Sequence, residues 1–320
     1  MNFKNNFVLL LITLSFSFSA SAQSLEDGIK LFEDKKFAQA KPILEKAYKA
    51  NSKDPKAAFY LGRIYIMRDY LDLDEAQDLI EFAVEKDPKN AKYHFILGTV
   101  YGQKASGGVF AGMKYASKIK DEFETAVNLD PKYLDAKMGL ASFYLCAPSV
   151  IGGDIAKAKE QAAAIEKMDV IKSYQVWADI YKTEKNDTKY EEFTQKIIDS
   201  DPKNTNALNQ FGYYFIEKKK YDKAIAAFKK YAESAPNDPN AFDSLGDGYK
   251  ANNQIDDALK SYLKAVSIDP KFSASVMNAA TIYKNKNQKK EAIAILKNYI
   301  SIAPKGDGKD KAEDLLDEID

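Results

Sequence analysis

The sequence predicts an all-α solenoid of about eight stacked helix-turn-helix units, closed by a C-terminal capping helix. Three observations predict it. Pro202, Pro236, Pro270 and Pro304 stand 34 residues apart in turn. Small residues recur at one phase of that period (Gly212, Gly246, Ala280 and then Ala224, Ala258, Ala292), and large ones at another (Phe215, Tyr249, Tyr283 and then Phe228, Tyr262, Leu296). Within each period, apolar residues fall at helical spacing in two runs separated by a polar turn. A fixed period of this length marks helix pairs that cannot bury their apolar faces alone and stack to do so.

The unit ending at Pro236 shows the logic. Leu208, Phe211, Gly212 and Phe215 make one apolar face of a first helix. Lys218, Lys219 and Lys220 form the turn, and Tyr221, Ala224, Ile225, Phe228 and Tyr231 mark the second helix. Proline stops it, because it cannot donate to the helix and restricts the residue before it. Gly212 and Ala224 lack bulk, so the two helices approach closely while Phe228 fills the space beside them.

These residues resemble the tetratricopeptide repeat, and the resemblance covers the chain from about residue 24 to residue 304. It implies a right-handed superhelix whose first helices line a concave groove, and a binding scaffold whose partner is a protein or peptide. The units run about 24–55, 55–88, 88–131, 131–169, 170–202, 202–236, 236–270 and 270–304, with the capping helix in 305–320.

Taken in order, residues 1–22 read as a secretory signal peptide: Lys4, an apolar run over Phe7–Phe18, and the small residues Ala20, Ser21 and Ala22 before Gln23. No cysteine follows that cleavage site, so the expected protein is exported from a bacterial cell, periplasmic or secreted, and not a lipoprotein. No membrane span is expected after cleavage. The first unit keeps the phase with Gly28, Leu31, Phe37, Ala40, Leu44 and Ala47, and the second with Leu61, Gly62, Tyr65, Ala76, Ile80 and Ala83. The turn of the second, near Asp69–Asp74, is about two residues longer than regular.

The third and fourth units depart further. Nine extra residues fall within Gly102–Ile119 of the third, where a loop holding Gly107 and Gly108 precedes an extended second helix beginning near Phe110. The fourth carries an insert from Ala147 to Asp154, with Gly152 and Gly153 inside it and Asp154 placed to cap the next helix. Both inserts occupy the same turn of adjacent units and are expected side by side on one rim, with Gly107, Gly108, Phe110, Gly152 and Gly153 as candidate rim residues. Trp177 in the fifth unit sits at a core phase. At the C-terminus, Ala312, Leu315, Leu316 and Ile319 mark the apolar side of the cap, after a turn at Gly306 and Gly308.

Composition excludes several chemistries. Lys plus Arg and Asp plus Glu both number 47, a balance that calls for neither nucleic acid nor an anionic membrane. One histidine, His94, and one cysteine, Cys146, cannot assemble a His or Cys metal site, and no cofactor is expected. His94 falls at a helix-contact phase, and Cys146, which has no partner for an internal disulfide, reads as buried and inert or else as the thiol of an intermolecular bridge. Gly107 and Gly112 do not make a phosphate loop, because Met113 stands where the lysine belongs and no strand precedes. No pair of carboxylates is marked out for acid–base work, so no catalytic residue is expected.

Under the resemblance, groove-facing residues lie three before and one after the small Gly/Ala position. In units two to four they are Phe59 and Arg63, Phe95 and Thr99, Met138 and Ser142. In units five to seven they are Gln175 and Asp179, Asn209 and Tyr213, Asp243 and Asp247. The N-terminal half is therefore apolar and the C-terminal half polar to acidic. Either that apolar strip receives a partner segment, or the third-unit insert with Val109, Phe110 and Met113 folds back over it. Burial of Phe59 and Phe95 by the insert separates the two. No Lys-then-Asn pair occurs at these positions, so a carboxylate clamp for chaperone tails is not expected. Three functions follow: an exported scaffold in envelope assembly, secretion or uptake; a peptidoglycan or carbohydrate binder; or an enzyme or the non-catalytic regulatory subunit of one, for which no catalytic constellation is found.

Overall fold

A computed structural model describes residues 25–319, and the expected signal peptide lies outside them. Among the described residues the chain is helical, with no strand. It divides into two units, up to Asp187 and from Thr188, a boundary that falls at the first residue of the tenth helix. The first holds α1 (25–33), α2 (Phe37–Ala50), α3 (Pro55–Tyr65), α4 (Leu73–Lys86), α5 (Ala91–Ala105), α6 (Val109–Leu129), α7 (Leu134–Cys146), α8 (Ile155–Glu166) and α9 (Val170–Thr183). The second holds α10 (Asp187–Ser200), α11 (Thr205–Glu217), α12 (Tyr221–Ser234), α13 (Pro239–Ala251), α14 (Ile255–Ile268), α15 (Ser273–Asn285), α16 (Lys289–Ile302) and α17 (Asp307–Asp317). The all-α expectation of stacked helix pairs holds in each.

The helices begin where acidic and amide side chains satisfy the free N–H groups of a first turn. Asp54 accepts from Lys56 and Ala57, with Pro55 at the first helical position. Asp154 accepts from Ala156 and Lys157, the cap anticipated from sequence, and Asp72, Asp169 and Asp238 act likewise.

Close approach within a pair follows the small-to-large rule. A Cβ on Gly98 would fall 2.7 Å from the Phe123 ring, and one on Gly246 would fall 2.5 Å from Tyr262. Phe228 and Tyr262 are fully buried. Helix α17 covers the last pair: Ala312 and Ile319 join Leu296 and Tyr299 in one apolar cluster.

The turns inside the pairs fall into two classes. Lys35, Lys185, Lys219, Asn253 and Asn287 all take a left-handed conformation, with φ between 56° and 59°. Each is followed by a residue whose N–H reaches back five positions, as Lys220 N–H does to Phe215 O at 2.8 Å. The turns after α3, α5 and α7 differ. They use a 3-10 turn at Arg68–Tyr70, Gly108 at φ 128°, and a 3-10 turn at Ser149–Ile151 followed by Gly152 at φ 109°. Helix α6 is 21 residues long where its counterpart α4 has 14, so it extends about two further turns.

Candidate functional site

A cleft of about 870 Å³ opens in the first unit between α5 and α7, with α6 as its third side. From α5 come Phe95, Thr99, Gly102, Gln103 and Ser106, and from α7 Asp135, Met138, Ser142, Phe143 and Cys146. Both sets follow the three- and four-residue steps of a single helix face. Helix α6 adds Gly112, Ala116, Ile119 and Phe123, and Pro148 and Ile151 close one end.

The lining is apolar, with polar groups set among it. Asp135 is its one charged residue among the described residues. Its carboxylate lies 3.6 Å from Lys172 Nζ in an exposed pair, a geometry that contributes little energy. The cleft exists partly because bulk is missing. A Cβ on Gly102 would meet nothing within 4 Å, and one on Gly112 would approach only Ala105 O, at 3.8 Å. Glycine inside a helix costs about 1 kcal/mol against alanine. At Gly98 close packing accounts for that cost; at Gly102 no neighbour does.

Four of the six groove residues read from sequence meet here: Phe95, Thr99, Met138 and Ser142. Phe59 and Arg63 do not. Phe59 is 4% exposed, with its ring 4.5 Å from that of Tyr93, and the Arg63 guanidinium lies over Phe32 at 4.3 Å and over Phe59 at 5.3 Å. The expectation that Phe59 is an accessible groove contact is therefore corrected: the first turn of α5 and the Arg63 side chain cover it. The third-unit insert does not. Val109, Phe110 and Met113 are 78%, 90% and 62% exposed, and the half-buried Phe95 faces the cleft.

Cys146 is also corrected. It is exposed rather than buried, on the wall of the cleft. The spacing Met138, Ser142, Cys146 could have found it, since each is one turn beyond the last. Gly102, Gln103 and Ser106 escape a sequence reading that assigns Gly102–Ile119 to the inserted segment; α5 continues through it to Ala105.

The two inserts border the same cleft, one through Ser106 and Gly112, the other through Pro148 and Ile151. Gly107, Gly108 and Phe110 are exposed at the first insert. Gly152 and Gly153 are half-buried in the second. There a Cβ on Gly153 would collide with Ala147 O, and Gly153 N–H donates to Pro148 O at 3.1 Å.

Other candidate groups are engaged elsewhere. His94 Nδ1 lies 2.6 Å from Glu122 Oε2 and its Nε2 lies 2.9 Å from Pro88 O, so both ring nitrogens face acceptors. The hydrogen bond to Glu122 raises its pKa, with burial opposing. This histidine ties α6 to the start of α5, as a packing residue. In the second unit the acidic positions form an internal network. Asp247 accepts from Tyr213 at 2.9 Å and from Tyr262 at 2.7 Å, and buried Asp243 accepts from Ser275 at 2.6 Å. Burial raises the Asp243 carboxyl, with the Ser275 hydrogen bond opposing. Among the described residues no group of three His, Cys, Asp or Glu side chains could hold a metal ion.

Residues 31–100, and separately 205–238, 240–272 and 274–305, match patterns of the tetratricopeptide repeat. The crystal structure of yeast Tom70 is similar over 93% of this chain at 16% identity, with a TM-score of 0.66. This chain spans 64% of the Tom70 chain, less than two thirds of its length. Cut9, in the APC/C hetero-tetramer Cut9-Hcn1, matches over 88% of this chain and 52% of its own, at 16% identity and a TM-score of 0.48. TTC0263, a thermophilic TPR protein of Thermus thermophilus, matches over 82% and 98%, at 16% identity and a TM-score of 0.36. At such identities the likeness is of fold alone, and it is carried by the Tom70 comparison. No curated protein matches in sequence.

Proposed function

The chain belongs to the tetratricopeptide repeat family, and from that premise we propose that it is an exported, non-catalytic scaffold that holds a protein or peptide segment in the cleft between α5 and α7. The carrying observation is the cleft itself. Two first helices of adjacent repeats hold Phe95 and Met138 apart over a space of about 870 Å³. An apolar concavity rimmed by a few polar groups is the form taken by sites that receive a partner's side chains. Thr99, Gln103, Ser106 and Ser142 supply hydrogen-bonding groups around it. Export rests on residues 1–22, whose charge, apolar run and small-residue site read as a cleaved leader. Together they support a role in envelope assembly, secretion or uptake.

The test places a photo-crosslinking side chain at Ser142, which is exposed and lines the cleft, in the bacterial host. A control places the same group at exposed Lys229 on α12. The expected result is one or a few protein adducts specific to Ser142 that disappear when Gly102→Phe fills the cleft. Adducts indifferent to the filled cleft would contradict the reading.

A further inference from the structure

The three turns that abandon the left-handed lysine or asparagine form share a second property. They carry the five most exposed large apolar side chains among the described residues: Leu71 at 56%, Val109 at 78%, Phe110 at 90%, Met113 at 62% and Val150 at 90%. The turns are neighbours. Lys104, at the end of α5, donates to Asp74, at the start of α4, at 2.6 Å. Ser106 and Gly112 at the second of these turns line the same cleft as Pro148 and Ile151 at the third. The five regular turns put lysine or asparagine at the corresponding place.

We propose that this rim of the first unit seats on a phospholipid surface, its apolar tips entering the headgroup layer and Lys114 and Lys118 meeting lipid phosphates. Large apolar side chains left this exposed mark an interaction surface. Their arrangement selects the kind of partner. The tips stand on three separate turns. A folded protein would need a matching hollow for each, whereas a lipid interface conforms to all of them. The longest tip has the order of an interfacial anchor. Gly107 and Gly108 precede Val109, Phe110 and Met113, and Lys114 and Lys118 follow within two helical turns. Lys114 and Lys118 are exposed and lie over the rings of Tyr115 and Tyr101, at 5.0 and 4.9 Å, a posture that leaves the ammonium at the surface. Of the nearby acids, Asp72 caps α4 and Asp74 holds Lys104, while exposed Asp69 stands beside exposed Arg68 in the turn before Leu71. The attachment is peripheral, since no helix among the described residues is long and apolar enough to cross a membrane. A chain of zero net charge can still present this local pairing of apolar and basic groups. The proposal does not depend on what the cleft binds.

The experiment is vesicle flotation of the chain from Gln23 onward, with phosphatidylcholine alone and with phosphatidylglycerol added. The wild type is expected to float with both, more strongly with phosphatidylglycerol. Phe110→Ser combined with Val150→Ser should weaken flotation about tenfold or more, as expected for withdrawing two large side chains from an apolar phase. Lys114→Ala with Lys118→Ala should remove the gain from phosphatidylglycerol and leave binding to phosphatidylcholine. All four positions are surface positions, so circular dichroism and melting should be unchanged. Wild-type protein that floats with neither vesicle overturns the proposal, and so does serine-tipped protein that floats as well as wild type. Sedimentation showing a dimer that Phe110→Ser dissociates, with no vesicle binding, also overturns it, by assigning the tips to a protein interface.

Discussion

The Tyr101 hydroxyl donates to the Glu81 carboxylate at 2.6 Å, joining a first helix to the second helix of the repeat before it. The relationship recurs. Tyr65 donates to Glu45 at 3.3 Å and Tyr144 to Glu124 at 2.7 Å, each across 20 residues. Burial, and then the neighbouring carboxylate, push the Tyr101 and Tyr144 phenols up, so both remain donors at any physiological pH. In the second unit the same step ends on a cation: Lys229 stands 5.8 Å over the Tyr249 ring. Stacked repeats are stabilised mainly at such nearest-neighbour junctions. Tyr101→Phe should therefore cost about 1–3 kcal/mol, the usual range for a partly buried hydrogen bond to a charged acceptor. Denaturant unfolding of the variant measures it. Glu81 keeps the hydrogen bond it accepts from Gln77 Nε2 at 2.8 Å, so Glu81→Gln added to Tyr101→Phe should change stability little further.

Packing inside the pairs gives a second prediction. Phe228 is fully buried against Gly212 and Gly248. Phe228→Ala should cost about 3–5 kcal/mol. Gly246→Leu should cost about 1–3 kcal/mol, because Tyr262 occupies the space a side chain needs. Calorimetric melting reads both, and a neutral Gly246→Leu would contradict the close approach of α13 and α14.

The left-handed turns give a third. Lys219 holds φ 58° at an exposed position, a conformation that costs an L-residue about 1–2 kcal/mol. Lys219→Gly should stabilise by about 0.5–1 kcal/mol after glycine's own entropy cost, read as a shift of the urea midpoint. Asn253→Gly, at the same φ, should gain less, because asparagine tolerates the region better.

A fourth concerns pH. His94 faces the Glu122 carboxylate and the Pro88 carbonyl, so the imidazolium is the form that satisfies both. Its folded pKa is raised by the Glu122 hydrogen bond. Its contribution to stability is thus fully present below the unfolded value of about 6.5 and is lost as pH rises through the folded value. The gap in melting temperature between wild type and His94→Gln should be widest below about pH 6.5 and should shrink as pH rises through the raised folded value.

Much of this architecture was legible because period and phase are written in single residues. The glycines facing Phe228, Tyr262 and Phe123 and the cap at Asp154 all follow from spacing alone. What stayed hidden depends on pairs drawn from different repeats. The acids at Glu45, Glu81 and Glu124 look like solvated helix positions until the next repeat brings a tyrosine over them. Phe59 has the phase of a groove residue, yet Tyr93 and Arg63 reach across and cover it. The cleft was half visible. Phe95, Thr99, Met138 and Ser142 follow from phase, but the wall at Gly102, Gln103 and Ser106 required knowing that α5 runs on to Ala105. Cys146 misled because a lone cysteine is usually a small buried hydrophobe, whereas here it ends a helix at the mouth of a cavity.

The space between α5 and α7 is the proposed working surface, and Gly102→Phe probes it most directly. A side chain there enters open volume, and replacing a helical glycine favours the helix. The paired measurement is the melting temperature and the yield of the Ser142 crosslink in the same variant. The prediction is an unchanged or higher melting temperature with the crosslink lost. A stable variant that still crosslinks its partner at full yield would contradict the claim that partners are held in this cleft.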